Sequence, residues 1–409
     1  MTTTPTSARH VAIVGAGPAG LFAAEIIAAH GHHVTIYERM ASPARKFLLA
    51  GRGGLNLTHS EAIAGFLDRY GDDAGEVRAA VERFPPEKLI AWANGLGADT
   101  FVGSSGRVFP RAMKASPLLR AWLRRLTGLG VTIKTRHRWT GFSPSGGLQF
   151  ETAENARIEI DADAALLALG GASWPKLGSD GSWVDAFTHA GIAVAPLTPA
   201  NCGVLVPWSD VFRARFEGTA LKRIALTIDG TTRRGEAIIT RKGLEGGAVY
   251  ALGPYIRAAL AKNDETATLV VDLKPDRKHA DLVARLSRPR GKDTMTNFLR
   301  KTVHLDAAGA GLLREAALPD GPEALAARIK ATPIRITGLA GLDRAISTAG
   351  GVAWRSLNAN LMLAARPGVF LAGEMLDWEA PTGGYLLQGT FATSAKAANA
   401  LLDWLGSRD

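Results

Sequence analysis

The feature that most constrains this chain is Gly15-Ala16-Gly17-Pro18-Ala19-Gly20, set between a short apolar run at residues 11–14 and a stretch with helical spacing at 19–30. A short apolar run bounded by turn residues reads as a buried strand. Gly31 ends the helical pattern, and residues 34–37 read as a second strand that ends at Glu38. This is a βαβ opening carrying a dinucleotide fingerprint. Gly15 permits the tight turn, Gly17 lets backbone approach a pyrophosphate, and Gly20 allows close helix–strand packing. Ala16, Pro18 and Ala19 complete a turn whose helix N-terminus presents N–H groups and a positive dipole end to phosphate. Glu38, with Arg39 beside it, stands where a carboxylate accepts both ribose hydroxyls.

The choice between FAD and NAD turns on the C-terminal region. Val369-Phe370-Leu371-Ala372-Gly373-Glu374 reads as a buried strand ending in Gly373 and the acid Glu374. An acid at a strand's carboxyl end beside the first βα crevice suits a polyol continuing from the pyrophosphate, which is the ribityl chain of FAD and is absent from NAD. Pro381-Thr382-Gly383-Gly384-Tyr385-Leu386 then opens a last helix over about 387–405. Its N-terminus, aimed at a flavin's pyrimidine edge, would stabilise negative charge on the reduced ring. No second Gly-x-Gly-x-x-Gly follows a strand; Gly309-Ala310-Gly311 lacks both the strand and the third glycine. NAD(P)H, if it is the reductant, is therefore expected to dock transiently at the flavin.

Composition narrows the remaining classes. The one cysteine, Cys202, excludes an intrachain disulfide and reads as a buried thiol. The nine histidines show no ligand spacing, so no metal is expected. The most apolar stretch, 12–29, is interrupted by Gly15, Gly17, Pro18, Gly20 and Glu25, and no signal-peptide core precedes it. The expectation is a cytoplasmic chain without a membrane span. The net charge is +10, and its excess is clustered. Residues 100–150 hold no Asp or Glu but include Arg107, Arg111, Lys114, Arg120 and Arg124; a second basic region spans 277–301. Such clusters read either as solvated surface or as attraction for a polyanion such as RNA.

Further along, 117–126 reads as helix, 131–135 as strand, 148–152 and 157–160 as a hairpin, and 164–169 as a buried strand running into Gly170-Gly171. From about Pro196 the pattern turns β-like at 203–207, 221–228, 233–240 and 268–273, then helical at 279–288, 294–304 and 323–330. The expected architecture is α/β: a Rossmann-type FAD-binding domain (1–195 and 341–409) interrupted by a β-barrel-like insert (196–274 and 331–340) and a helical subdomain (275–330).

These motifs, together with Ala44-Arg45-Lys46, the loop Gly51-Arg52-Gly53-Gly54-Leu55-Asn56, Gly106-Arg107-Val108-Phe109-Pro110 and Gly170-Gly171-Ala172-Ser173-Trp174-Pro175-Lys176, resemble a family of FAD flavoproteins. That family includes BaiN-type bile-acid ene-reductases and YhiN/RdsA-type ribosomal RNA dihydrouridine synthases (aminoacetone-oxidase-like flavoproteins). The resemblance covers nearly the whole chain and implies the interrupted fold just described. It also implies that Gly170 covers the adenosine side and that Asn56 and Thr58 hydrogen-bond the flavin. Lys46 and Arg52 flank the Gly-rich loop just after Glu38 and read either as phosphate contacts or as surface charges. One departure stands out: the family's loop runs Gly-Gly-Gly-Arg-Cys-Asn, and this chain has Leu55 where Cys stands. Leu55 has no proton to give, so any chemistry of that Cys does not transfer.

Trp174, Trp378 and Tyr385 fall in loops beside the expected FAD elements, where aromatics wall substrate pockets as well as pack. Arg52, Trp174 and Trp378 are therefore candidate substrate contacts and Tyr385 the candidate proton donor. The expected activity is hydride delivery from reduced FAD to a C=C bond, in a ribosomal RNA uracil or a small enone. The alternatives are an RNA- or ribosome-associated protein with structural FAD, and a flavin amine oxidase or monooxygenase.

Overall fold

The computed structural model describes residues 8–51, 53–71, 74–263 and 265–408. They form two units, residues 8–198 with 347–408 and residues 199–346. In the first unit, β1 (His10–Val14), β2 (His33–Glu38), β3 (Thr132–Thr135), β4 (Ala164–Leu167) and β5 (Val369–Leu371) form a parallel sheet in the order β5-β4-β1-β2-β3. After β1 the chain builds outward through β2 and β3, then returns to the other side of β1 for β4 and β5. That reversal creates a crevice at the carboxyl ends of the central strands. β1 and β4 are buried along residues 11–14 and 164–167, which is why they read as unbroken apolar runs rather than alternating ones.

Two helices, α1 (Pro18–Ala29) and α2 (Tyr385–Gly406), pack against each other beside this sheet. Small residues of α2, including Ala392, Ala395, Ala397 and Ala398, permit the close approach. The Ser394 hydroxyl donates to the Ala19 carbonyl at 2.6 Å. Glu25, the one charge of α1, is taken up by the Trp92 indole N–H at 3.1 Å and by Arg125 at 2.9 Å. Phe22, Phe391, Trp92 and Trp122 form an edge-to-face and tilted cluster that ties the segment after β2 to α1 and α2. Among the described residues, no helix is long and apolar enough to cross a membrane.

The second unit contains a six-stranded antiparallel sheet: Val204–Leu205, Gly243–Glu245, Thr231–Thr240, Ala220–Ile228, Ala267–Asp272 and Thr332–Ile336, in that spatial order. The Leu205 N–H bonds to the Gly338 carbonyl (2.9 Å) and the Thr337 N–H to the Leu205 carbonyl (3.0 Å), so the curled sheet closes on itself. Helices His279–Leu286, Met295–Val303 and Pro322–Lys330 bury Leu282, Phe298, Leu299 and Ile329 in one core with Leu269, Val271 and Ile334 of the sheet.

Candidate active site

Four turns meet at the carboxyl edge of the parallel sheet. The first follows β1. Gly15 has φ +102°, and a Cβ there would lie 2.3 Å from the Ala168 carbonyl oxygen; a Cβ on Gly20 would lie 1.9 Å from the Gly15 carbonyl oxygen. Both positions exclude any side chain. Gly17, by contrast, has nothing within 4 Å of where its Cβ would stand. It sits at the N-cap of α1 with no side chain capping the helix and Pro18 at the first turn. The start of α1 is thus an open, positively polarised surface suited to an anion.

Glu38 closes the second turn, after β2. It is 9% exposed, one oxygen accepting from the Ala16 N–H and the other from the Met40 N–H, each at 2.8 Å. Burial pushes its pKa up, and the two backbone bonds work against that rise. Each carboxylate oxygen accepts more than one hydrogen bond, so both keep capacity for a ribose hydroxyl. Arg39 turns away to Asp180 at 2.6 Å and so fastens the third turn, the loop after β4, over the end of β2. In that loop Gly170 has φ +70° and half-buried Trp174 has φ +63°. A positive φ at a bulky aromatic costs energy that the surrounding fold must offset.

The fourth turn follows β5. Gly373 has φ +80°, and a Cβ there would strike Ala19, so β5 ends against the start of α1. Glu374 accepts from Lys46 Nζ at 2.7 Å and from the Thr348 N–H at 3.0 Å. Lys46 also reaches the Ser173 hydroxyl at 2.5 Å, while the Thr348 hydroxyl accepts from the Ala172 and Ser173 N–H groups. The two residues expected to face the cofactor separately therefore belong to one network.

Gly383 and Gly384, with φ of +130° and +101°, lead into α2. A Cβ on Gly384 would fall 2.5–2.7 Å from Thr58 backbone, which brings Asn56 and Thr58 to the start of α2, beside Leu386. Tyr385 is 5% exposed; its ring stacks on His59 and its hydroxyl donates to Glu61, which also holds Arg69 at 2.8 Å. Burial and the Glu61 bond push the phenol pKa well up, and the Arg69 bond pulls the Glu61 pKa down. Trp378 is buried against Gly389, its indole N–H donating to the Gly373 carbonyl at 2.9 Å. Arg52 lies outside the described residues. Leu55 is fully buried, so the position of the family's Cys is a core position here.

Sequence reasoning passed over Ser173, Thr348, Glu61, Arg69 and Ser179 as functional residues. Ser173 lies within the motif from Gly170 to Lys176, but nothing local signals the other four: Thr348 bonds to Ala172 and Ser173, Glu61 meets Tyr385 from far along the chain, and Ser179 has no side-chain partner.

Residues 9–400 match the family model described as HI0933-like protein Rossmann domain. The chain belongs to the HI0933-like family. The 3-dehydro-bile acid delta(4,6)-reductase of Clostridium scindens is 27% identical over 95% of this chain and 98% of its own length. The ribosomal RNA dihydrouridine synthase of Escherichia coli is 24% identical over 95% and 97%. Among solved structures, the 3-ketosteroid-delta4-(5alpha)-dehydrogenase of Rhodococcus jostii in complex with 4-androstene-3,17-dione shares 16% identity, a TM-score of 0.52, and 98% coverage of both chains. The fold is the Rossmann-type FAD-binding fold, interrupted by a curled antiparallel sheet, and the class of this HI0933-like chain is FAD-dependent oxidoreductase.

The site also passes a chemical test for an extended ligand. Asn56 Oδ1, Thr58 Oγ1 and Ser179 Oγ are buried without a hydrogen-bond partner, a condition folded proteins rarely leave unrelieved. Ser179 lies 3.5 Å from where a Gly170 Cβ would stand, while Thr58 abuts Gly384.

Proposed function

We propose that this oxidoreductase works as a reductase on a C=C bond conjugated to a carbonyl, with FAD lying along the sheet's carboxyl edge. Bound FAD supplies the hydride. The start of α1 and the backbone of Gly15–Gly20 hold the pyrophosphate, Glu38 the ribose, and Gly170 with Ser179 the adenosine side. Glu374, oriented by Lys46, takes the ribityl hydroxyls. Asn56, Thr58 and the N–H groups at Gly384 and Tyr385 take the polar edge of the flavin. Trp174 borders the substrate space. NAD(P)H is the transient reductant, docking where the substrate later binds, and the protein works in the cytoplasm.

The observation that carries this reading is the run of unpartnered buried polar atoms in a crevice whose glycines exclude side chains. The acceptor class follows from chemistry shared by the relatives. A uracil C5=C6 bond and a 3-oxo steroid alkene are both polarised by a conjugated carbonyl, so each takes hydride at the β carbon and a proton at the α carbon. The proton is the part this chain must manage. Tyr385, expected as its donor, holds its hydrogen toward Glu61, so we assign it the fixing of strand Thr58–His59 against α2, with solvent delivering the proton.

The test is anaerobic photoreduction of the FAD-loaded protein, followed by mixing with uridine-containing RNA, 2-cyclohexenone and a 3-oxo-Δ4 steroid. Reoxidation read at 450 nm with at least one acceptor, and a saturated product by mass spectrometry, is the expected result. Reoxidation by dioxygen alone, with all acceptors inert, overturns the reading.

A further inference from the structure

Beside the candidate site, strands Thr58–His59, Arg107–Pro110 and Thr100–Val102 form a small antiparallel sheet with Arg107–Pro110 in the middle. Thr58, whose buried hydroxyl lacks a partner, pairs with Val108, and His59 pairs with Arg107. The next loop approaches the site from the same side: a Cβ on Gly51 would strike Ala115, and one on Gly54 would lie 2.7 Å from the Met113 methyl. The glycine loop leading to Asn56 and Thr58 is thus edged by residues 107–115.

That edge has a distinctive chemistry. Arg107, Arg111 and Lys114 are exposed, and Arg120 and Arg124 continue along the exposed side of helix Ala115–Gly128, opposite buried Leu118, Leu119, Trp122 and Leu126. None of the five forms an ion pair among the described residues, and no acid occurs between residues 100 and 150. In contrast, Arg125, on the flank of the same helix, is paired with Glu25. Apolar groups lie among the cations: Val102 is 55% and Met113 38% exposed, and half-buried Phe101 and Phe109 stand 6.0 Å apart. Unpaired cations set among apolar and aromatic faces are what a single-stranded nucleic acid requires, phosphates on the former and bases on the latter. A free enone or steroid has no use for five cations.

We propose that residues 100–124 form the binding track for single-stranded RNA that carries the reducible base. This rests on the reductase reading above and selects between its two substrate classes. A uracil unstacked from its neighbours presents its C5=C6 bond to the Asn56–Thr58 end of the crevice while flanking phosphates lie on Arg107, Arg111 and Lys114.

The test is fluorescence anisotropy of the FAD-loaded protein with a labelled uridine-rich RNA of about 12 nucleotides, at several salt concentrations. Arg107→Ala/Arg111→Ala/Lys114→Ala is expected to weaken binding at least tenfold at low salt and to lower the salt slope by about 2, at ~0.7 for each phosphate no longer neutralised. Arg288→Ala/Arg290→Ala/Lys292→Ala removes three exposed charges of the second unit and is expected to change Kd less than twofold. Should the first triple variant lose its flavin absorbance, Arg120→Glu/Arg124→Glu replaces it with the same expectation of tenfold weakening. Absence of RNA binding by the wild type, or equal losses from both regions, overturns the proposal. Reoxidation by an enone in that event leaves the reductase reading intact and assigns it a small-molecule substrate.

Discussion

Lys46 Nζ stands 2.7 Å from Glu374 Oε2, an ion pair between residues 328 positions apart that joins helix Arg45–Ala50, in the segment after β2, to the turn after β5. The Glu374 side chain is 10% exposed and that of Lys46 24%, so water screens the pair poorly. Lys46→Met leaves a mostly buried carboxylate with only the Thr348 N–H as partner. Breaking a pair from one side costs more than the pair contributes, because the remaining charge is stranded. FAD affinity is expected to fall at least tenfold in Lys46→Met and Glu374→Ala. The double variant should lose less than the two losses combined, as flavin fluorescence titration in a double-mutant cycle would measure. Additive losses would show that the two side chains meet the cofactor independently.

The two inner glycines of the first turn should fail differently. Gly20→Ala drives a methyl group into the Gly15 carbonyl at 1.9 Å, and rigid backbone on both sides leaves no room to relax. The expected outcome is insoluble or unfolded protein, a loss of several kcal/mol, on the order of 3 or more. Gly17→Ala meets nothing within 4 Å and has an ordinary φ of −78°, so the chain should fold with an unchanged circular dichroism spectrum. Its methyl group stands where the pyrophosphate is proposed to approach, and the protein should purify colourless. A yellow Gly17→Ala protein with wild-type affinity would remove the phosphate from that turn.

Much of this frame is readable from sequence because its signals are local. Residues 11–38 announce strand, turn, helix and strand through apolar runs and glycines. The strands at 164–167 and 369–371 and the helix from Tyr385 follow from the same contrasts. The segment after Glu38 is different. Its helices Arg45–Ala50, Ile63–Asp68, Gly75–Arg83 and Pro86–Asn94 are short, the last two parted by Phe84-Pro85, and their apolar residues turn inward only once α1 and α2 provide Phe22 and Phe391. The site shows the same division. Gly15 and Gly20 carry their reasons within the turn itself, a positive φ at Gly15 and the Gly15 carbonyl against Gly20. Lys46 pairs with Glu374 through a contact that no local pattern encodes, and Tyr385 meets Glu61 across 324 positions.

That Tyr385–Glu61–Arg69 array has a definite acid signature. Glu61 has its pKa lowered, first by the Arg69 bond and with help from the Tyr385 hydroxyl. A depressed carboxylate contributes stability that is complete above its unfolded value near 4.5 and is lost as pH falls through the lower folded value. Wild type should therefore lose more melting temperature than Glu61→Gln on going from pH 5 to pH 3, with parallel behaviour between pH 6 and 8. Tyr385→Phe should keep at least a tenth of the hydride-transfer rate in stopped-flow reoxidation. A loss beyond a hundredfold with FAD still bound would make the phenol the proton donor.

Glu38 predicts the opposite displacement along the pH axis. Burial raises its pKa above the ordinary 4.5, against the pull of the Ala16 and Met40 N–H groups. A ribose that donates two hydroxyls to this carboxylate binds the ionised form, since a protonated carboxyl loses one acceptor and gains a competing donor. FAD affinity should therefore weaken as pH falls through that raised value, at a pH where an exposed glutamate is still ionised. FAD binding would in turn pull the Glu38 pKa down, so proton uptake should accompany cofactor release. Glu38→Gln removes the titrating group while keeping its length, and should bind FAD more weakly at pH 7 with a flatter pH dependence. Isothermal titration calorimetry in two buffers of different ionisation enthalpy counts the protons directly. A wild-type affinity as flat from pH 8 down to pH 4 as that of Glu38→Gln would place the ribose away from this carboxylate.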